Sequence, residues 1–165
     1  MTRFQEIYPA DKVILREVGL RDGLQLVKKF PSTSAKQRWM RDEYVAGVRH
    51  FEVGSFLPVK TFPQFADVRD IIGTVASLPG AYGIALTLNE RGVNEALASG
   101  VAEVATVVSA TEEHSQANAN RSRESAIANV KRLCELRDAS VHRPVVNSAL
   151  PTALGCSIGG HVDPN

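Results

Sequence analysis

Arg21, Asp22 and Gln25 stand in a glycine-flanked stretch, Gly19-Leu20-Arg21-Asp22-Gly23-Leu24-Gln25, straight after an apolar run that reads as a β-strand. Asp22 offers oxygen to a hard divalent cation, and Arg21 offers a planar fork that matches a carboxylate or an enolate. A second acid, Glu52, ends the next strand pattern in Phe51-Glu52-Val53-Gly54-Ser55-Phe56. Side chains alternate along a strand, so if Phe51 and Val53 face helices, Glu52 points into a sheet crevice or barrel interior, where a carboxylate needs a partner. Acids and an arginine at consecutive strand ends suit Mg²⁺ or Mn²⁺ together with an anionic oxygen. Plainer readings exist for each. Asp22 alone is an ordinary turn residue, Arg21 pairs equally well with Glu17, and Gln25 alone is a loop amide.

Further candidates are sparser. The polar stretch Ser109 to Asn120 reads as a loop after the fourth strand. In it Asn118 and Asn120, joined by Ser109, are placed to hydrogen-bond an extended polar ligand, while Glu113 and His114 are expected in solvent. His50 lies on the face of Glu52, one step deeper, and reads as a hydrogen-bonded interior histidine. Cys134 falls on the apolar face of a helix; Cys156 sits in a Gly-Cys turn with no neighbour in sequence to lower its pKa. The chain carries no Walker loop, dinucleotide fingerprint, HExxH or CxxC pair.

Positioning these groups falls to a repeated strand–helix pattern. Strands are predicted over residues 13–18, 48–53, 82–87, 101–109 and 145–150. Ser34-Ala35-Lys36-Gln37 reads as a capping box opening a helix that Gly47 closes, and Pro63 opens another that runs to Leu78-Pro79-Gly80. Asn89 caps a short helix ending before Gly100, and a longer one spans residues 122–138. A repeat of ~30 residues is a βα unit and implies a parallel sheet with right-handed crossovers. Both an open doubly wound sheet and part of a (β/α)8 barrel, which needs ~250 residues when complete, satisfy this pattern.

Bulk properties narrow the class. With 165 residues and 44% hydrophobic content the chain can build one core. Its 19 basic and 18 acidic side chains argue against nucleic acid as a partner, and no apolar run approaches the ~20 residues that span a bilayer. The polar stretch 1–12 holds no signal core, and two cysteines make no disulfide framework. The expectation is a soluble cytoplasmic protein, without nucleic-acid or membrane partners.

Taken together, Glu17-Val18-Gly19-Leu20-Arg21-Asp22-Gly23-Leu24-Gln25 resembles the signature that opens hydroxymethylglutaryl-CoA lyases, within a wider group of metal-dependent lyases and condensing enzymes. The likeness continues through Glu52 with Ser55-Phe56 and Pro58-Val59-Lys60. It returns at Ser109-Ala110-Thr111-Glu112, at Asn118-Ala119-Asn120-Arg121-Ser122 and at Ala153-Leu154-Gly155-Cys156. The resemblance implies an α/β fold, the (β/α)8 TIM barrel, with about its first five βα units in residues 1–165 as a single incomplete domain. It implies cleavage of 3-hydroxy-3-methylglutaryl-CoA to acetyl-CoA and a keto acid, with Mg²⁺ or Mn²⁺ as cofactor and an acyl-CoA as partner. By motif match Asp22 would ligate the cation and Arg21 would steady the thioester enolate. Gln25 and Asn118 would contact substrate, and Glu52 would support the metal or its water as a catalytic group.

Leu20, Leu26-Val27, Val53-Gly54 and His114 depart from the family's usual residues, so a related 3-hydroxyacyl-CoA fits as substrate as well. The family's His-x-His metal pair, a further Asn ligand and its catalytic Cys belong beyond the fifth strand, and the four histidines here form no such pair. The expectation is therefore a piece inactive by itself, needing a C-terminal half or a homo-oligomer. A condensing enzyme of the same group and a non-catalytic half-barrel binding module are the alternatives.

Overall fold

The structure, a computed structural model, describes residues 2–163. Its frame is a parallel sheet of β1 (Arg16–Glu17), β2 (His50–Ser55), β3 (Tyr82–Leu86), β4 (Glu103–Val107) and β5 (Val145–Ala149). The strands lie side by side in chain order, 1-2-3-4-5. That order decides between the two candidate architectures. A doubly wound sheet reverses its strand order at a switch point, whereas a barrel adds each strand beside the last. The sheet is the first five strands of a (β/α)8 barrel. Its helices are α1 (Arg3–Ile7), α2 (Thr33–Val45), α3 (Val68–Ala76), α4 (Glu90–Leu97), α5 (Glu112–Ala119) and α6 (Arg123–Ala139).

Burial divides the sheet into two chemically different faces. Phe51, Val53, Ala85 and Val104 pack outward against Met40 of α2, Ile71 and Val75 of α3 and Leu133 of α6. Arg16, Glu52, Glu103 and Asn147 join one another by hydrogen bonds on the opposite, interior side. The apolar layer carries the stability, at about 25 cal/mol per Å² removed from water, and leaves the interior free for polar groups. In β2 the ladder to β3 shifts between Glu52 and Gly54. This bulge turns both Val53 and Gly54 toward the helices: a Cβ on Gly54, whose φ is +146°, would lie 3.1 Å from Val68 Cγ2. A bulge at this point re-aims the strand just past Glu52.

Several element boundaries differ from the sequence reading. β1 pairs over Arg16–Glu17 alone instead of 13–18, because Arg16 lies opposite His50, the first residue of β2, and no described residue pairs with what precedes it. Ser32, not Ser34, caps α2, its hydroxyl accepting from Ala35 N at 3.3 Å. The helix expected from Pro63 splits into a 3₁₀ turn, Pro63–Phe65, and α3. The stretch expected as a polar loop is largely α5, capped by Thr111, whose hydroxyl accepts from His114 N, with Glu112 and Glu113 in the first turn where they oppose the helix dipole. α1 was not anticipated, although Thr2-Arg3-Phe4-Gln5 forms a complete capping box. No helix among the described residues is long and apolar enough to cross a membrane.

Candidate active site

After β1 the chain closes a wide helical turn, Gly19–Gly23, in which Val18 O accepts from the N–H groups of Arg21, Asp22 and Gly23 at 3.1, 2.8 and 3.4 Å. Leu20 anchors the turn in the core. Glu17 points outward and accepts from Gly19 N at 2.6 Å, so it is not the partner of Arg21. Gly19 is sterically required: a Cβ there would lie 2.5 Å from both Glu17 Oε1 and the Trp39 ring.

The turn delivers Arg21 as a hub. Its Nε–H donates to Glu52 Oε2 at 2.7 Å, and Nη1 donates to Asp22 Oδ1 at 3.1 Å and Gln25 Oε1 at 3.3 Å. Arg21, Asp22, Gln25 and Glu52, expected from sequence to act together, are thus brought together, and the cation both acids share is this guanidinium. The Glu52 side chain is 11% exposed and that of Asp22 65%, so Asp22 faces outward from the cluster. Arg21 Nη2 makes no hydrogen bond among the described residues.

Beneath the hub lies a second ionic layer that the sequence reading missed. Arg16 Nη1 donates to Glu52 Oε1 at 3.4 Å, and Nη2 donates to Glu103 Oε1 at 3.1 Å and to the Tyr8 hydroxyl. Glu103, completely buried, also accepts from the Tyr8 hydroxyl and from Asn147 Nδ2, the latter at 3.0 Å. Burial, and after it the bond to Glu103, pushes the Tyr8 phenol far above the ordinary tyrosine range. Burial works against the Arg16 charge, but Glu103, Tyr8 and Glu52 outweigh it and leave its pKa raised. Two arginines, Arg16 and Arg21, face three acids, Glu52, Glu103 and Asp22, so the cluster carries one net negative charge, and Asp22, paired through Arg21 Nη1 alone, is its most exposed acid. The signal for Glu103 was available: a charge inside the apolar run Val101-Ala102-Glu103-Val104 is as informative as Glu52.

His50 is buried on the interior side, as expected, but between the rings of Tyr8 and Tyr82 at 5.4 and 5.3 Å, with Nδ1 lacking a hydrogen-bond partner. The hydrogen bond expected of an interior histidine is missing at Nδ1 among the described residues, and two tilted aromatic contacts take its place. Burial first, then Arg16, lower its pKa.

Around the rim, Gln64 Nε2 donates to the carbonyls of Leu24 and Gln25 at 3.3 and 3.1 Å, and buried Lys36 Nζ donates to Gln64 O at 2.6 Å. The Gln25 segment is thereby pinned to α2. Asn118 is exposed on α5 and makes no hydrogen bond with the Arg21 cluster, and Asn120 closes the helix in the left-handed conformation. Ser109 Oγ and His114 Nδ1 lie 2.9 Å apart, so His114 is half-buried rather than in solvent, while Glu113 is exposed as expected. Cys156 Sγ accepts from Thr111 Oγ1 at 3.3 Å and from Gly159 N at 3.2 Å, which lower its pKa, contrary to the sequence reading.

Among the described residues no three His, Cys, Asp or Glu side chains converge to hold a metal ion. Asp22 fits the role of a single oxygen ligand: its side chain is 65% exposed, and only Oδ1 is engaged, by Arg21. Glu52 is committed to two guanidinium groups.

A profile of the HMGL-like family matches residues 12–164. The chain is 38% identical over 153 residues to a 3-hydroxy-3-isohexenylglutaryl-CoA/hydroxy-methylglutaryl-CoA lyase of Pseudomonas aeruginosa, covering 93% of this chain and 50% of the relative. It is 32% identical over 149 residues to the hydroxymethylglutaryl-CoA lyase YngG of Bacillus subtilis, covering 90% and 49%. A solved structure of the hydroxymethylglutaryl-CoA lyase from Pseudomonas aeruginosa superposes with a TM-score of 0.83 at 37% identity, again over 93% of this chain and 50% of the other. The chain spans about half the length of the curated relatives it matches.

Proposed function

This chain belongs to the HMGL-like family, and from that premise we propose that it forms the first five βα units of a metal-dependent carbon–carbon lyase. The substrate is 3-hydroxy-3-methylglutaryl-CoA or a related 3-hydroxyacyl-CoA; the products are acetyl-CoA and a keto acid. The observation that carries the proposal is the Arg21 hub. Glu52, Asp22 and Gln25 restrain its Nε and Nη1, and Nη2 is left to meet an anionic oxygen.

The reaction is a retro-Claisen cleavage. A base takes the proton of the tertiary hydroxyl, the alkoxide collapses to a ketone, and the adjacent C–C bond breaks. Its electron pair moves into the thioester as an enolate, which is then protonated on carbon to give acetyl-CoA. Arg21 donates to the enolate oxygen where charge develops, the most effective place for a fixed donor. Gln25 borders the acyl group. Glu52 holds Arg21 in place rather than taking the hydroxyl proton, because both of its oxygens already accept from arginine. Mg²⁺ or Mn²⁺ would supply Lewis-acid polarisation of substrate oxygens, with Asp22 as this chain's ligand to it; the other ligands are not among the described residues. Asn118 completes the proposed contacts to the acyl part from the rim.

Closing a barrel requires further strands against the unpaired edges of β1 and β5. We place them in sequence like that of the other half of the relatives, or in a second chain. Cys134 and Cys156 are free thiols, which supports a reducing, cytoplasmic setting. Incubating the protein completed to a closed barrel, as a longer chain or with its partner chain, with 3-hydroxy-3-methylglutaryl-CoA and Mn²⁺, with products read by mass spectrometry, tests the reaction. Metal-dependent acetyl-CoA release is the expected result. Condensation of acetyl-CoA with a 2-oxo acid would instead identify a synthase, and acyl-CoA binding without turnover would identify a binding module.

A further inference from the structure

We propose that Arg16 is a positioning residue for Arg21, acting through Glu52 from the floor of the barrel. The inference rests on the lyase reading for its kinetic consequence and on geometry for its structural one. The two oxygens of Glu52 are divided between two arginines: Oε1 accepts from Arg16 at 3.4 Å and Oε2 from Arg21 at 2.7 Å. The plane of the carboxylate is therefore set by both. Arg16 is itself anchored from below, because Glu103 is completely buried and is held in turn by Tyr8 and Asn147.

The line Glu103–Arg16–Glu52–Arg21 joins β4, β1, β2 and the turn that follows β1. The ion pairs along it lie at side-chain exposures of 0% for Glu103, 24% for Arg16, 11% for Glu52 and 21% for Arg21. None of its links uses the apolar layer beneath the helices, so its loss need not loosen the core. Only a fork can serve two carboxylates from separate nitrogens; a lysine in its place is a point charge that would settle on Glu103. Without Arg16, Glu52 Oε1 has no other partner among the described residues. The carboxylate is then free to turn, and Arg21 turns with it.

The test uses ¹⁵N-labelled intact protein and follows the Nε–Hε cross-peak of Arg21, assigned by its disappearance in Arg21→Lys. In the wild type this proton, held at 2.7 Å on Glu52, exchanges slowly with solvent. In Arg16→Met the peak is expected to shift and its exchange to speed by on the order of tenfold or more. If Arg16→Met does not fold, Arg16→Lys, which keeps a cation against Glu103, is read instead and should show the same change. kcat for acyl-CoA cleavage should fall by on the order of tenfold to a hundredfold, with KM changed less than about threefold. An Arg21 peak unchanged in the folded variant overturns the proposal, since a merely structural arginine would lower thermal stability and leave that peak alone. Should the wild type, completed to a closed barrel, cleave nothing while the Arg21 peak still answers to Arg16, the lyase reading falls and the positioning role stands.

Discussion

Replacing Glu52 by Gln removes one charge and no volume, and its consequence can be worked from the contacts. Glu52 joins Arg21 at 2.7 Å and Arg16 at 3.4 Å, with its side chain 11% exposed and theirs 21% and 24%. At an effective dielectric of ~20, a unit pair about 4 Å apart carries ~4 kcal/mol of gross attraction. Part of that is recovered when the arginines regain water. Breaking a buried pair costs ~3–5 kcal/mol, whereas a net hydrogen bond to a charged group contributes ~1.5–3 kcal/mol. Partial exposure places this site between them, at about 3 kcal/mol. The amide also sets an NH₂ against one of two donor-only guanidinium groups, so one contact becomes repulsive. For a chain of this size ~1 kcal/mol moves the melting midpoint by ~2–4 °C, so Glu52→Gln should melt about 6–12 °C lower by calorimetry. A loss under about 2 °C would show that this carboxylate does not bind the two arginines together, and the hub would have to be redrawn.

Three other perturbations follow from the same geometry. Arg16→Met alone leaves Glu103 completely buried without its cation and should cost ~3–5 kcal/mol. Arg16→Met with Glu103→Gln should cost less than the two changes summed, by ~1–3 kcal/mol in denaturant titrations; strict additivity would deny the pairing. Gly19→Ala forces a methyl to within 2.5 Å of the Trp39 ring and should destabilise by ~1–3 kcal/mol; a neutral result would mean the Arg21 turn is not held against α2. His50 has its pKa lowered from 6.5 by burial and by Arg16, so the unfolded chain takes up the proton more readily. Its contribution to stability is therefore complete above pH 6.5 and is lost as pH falls below that value toward the folded pKa. In His50→Phe, which forfeits no hydrogen bond at the unpartnered Nδ1, the melting midpoint should depend less on pH in that window; an unaltered pH slope would exclude His50 as its source.

Much of this was legible in the sequence, for a physical reason. Phe51 and Val53 must both find the helix layer, so the inward aim of Glu52 follows from strand alternation. Gly19 and Gly23 bracket the turn that carries Arg21, but sequence left Glu17 as an equal partner, and only the structure gives Arg21 to Glu52. The five-strand repeat was likewise plain from apolar periodicity, and strand order then selected the barrel. Other features depend on distant partners. β1 is short because its register begins at His50. The carboxylate partners of Arg16 lie 36 and 87 residues away in sequence, so no local pattern announces that it links Glu52 to Glu103. α5 has almost no apolar stripe to find, and its start rests on the Thr111 cap and two first-turn acids. Asn118 shows the converse: a motif placed it, and the structure leaves it exposed on the rim.

The central claim is that the free nitrogen of Arg21 meets charge that develops only during bond cleavage. It is tested most directly by steady-state kinetics of Arg21→Met against wild type, both completed to a closed barrel, with 3-hydroxy-3-methylglutaryl-CoA and saturating Mn²⁺. Loss of a fixed donor to an enolate oxygen lowers kcat by ~10²–10³ and leaves KM within a few-fold. Equal kcat with a raised KM would contradict the account, since Arg21 would then bind substrate without acting on the breaking bond.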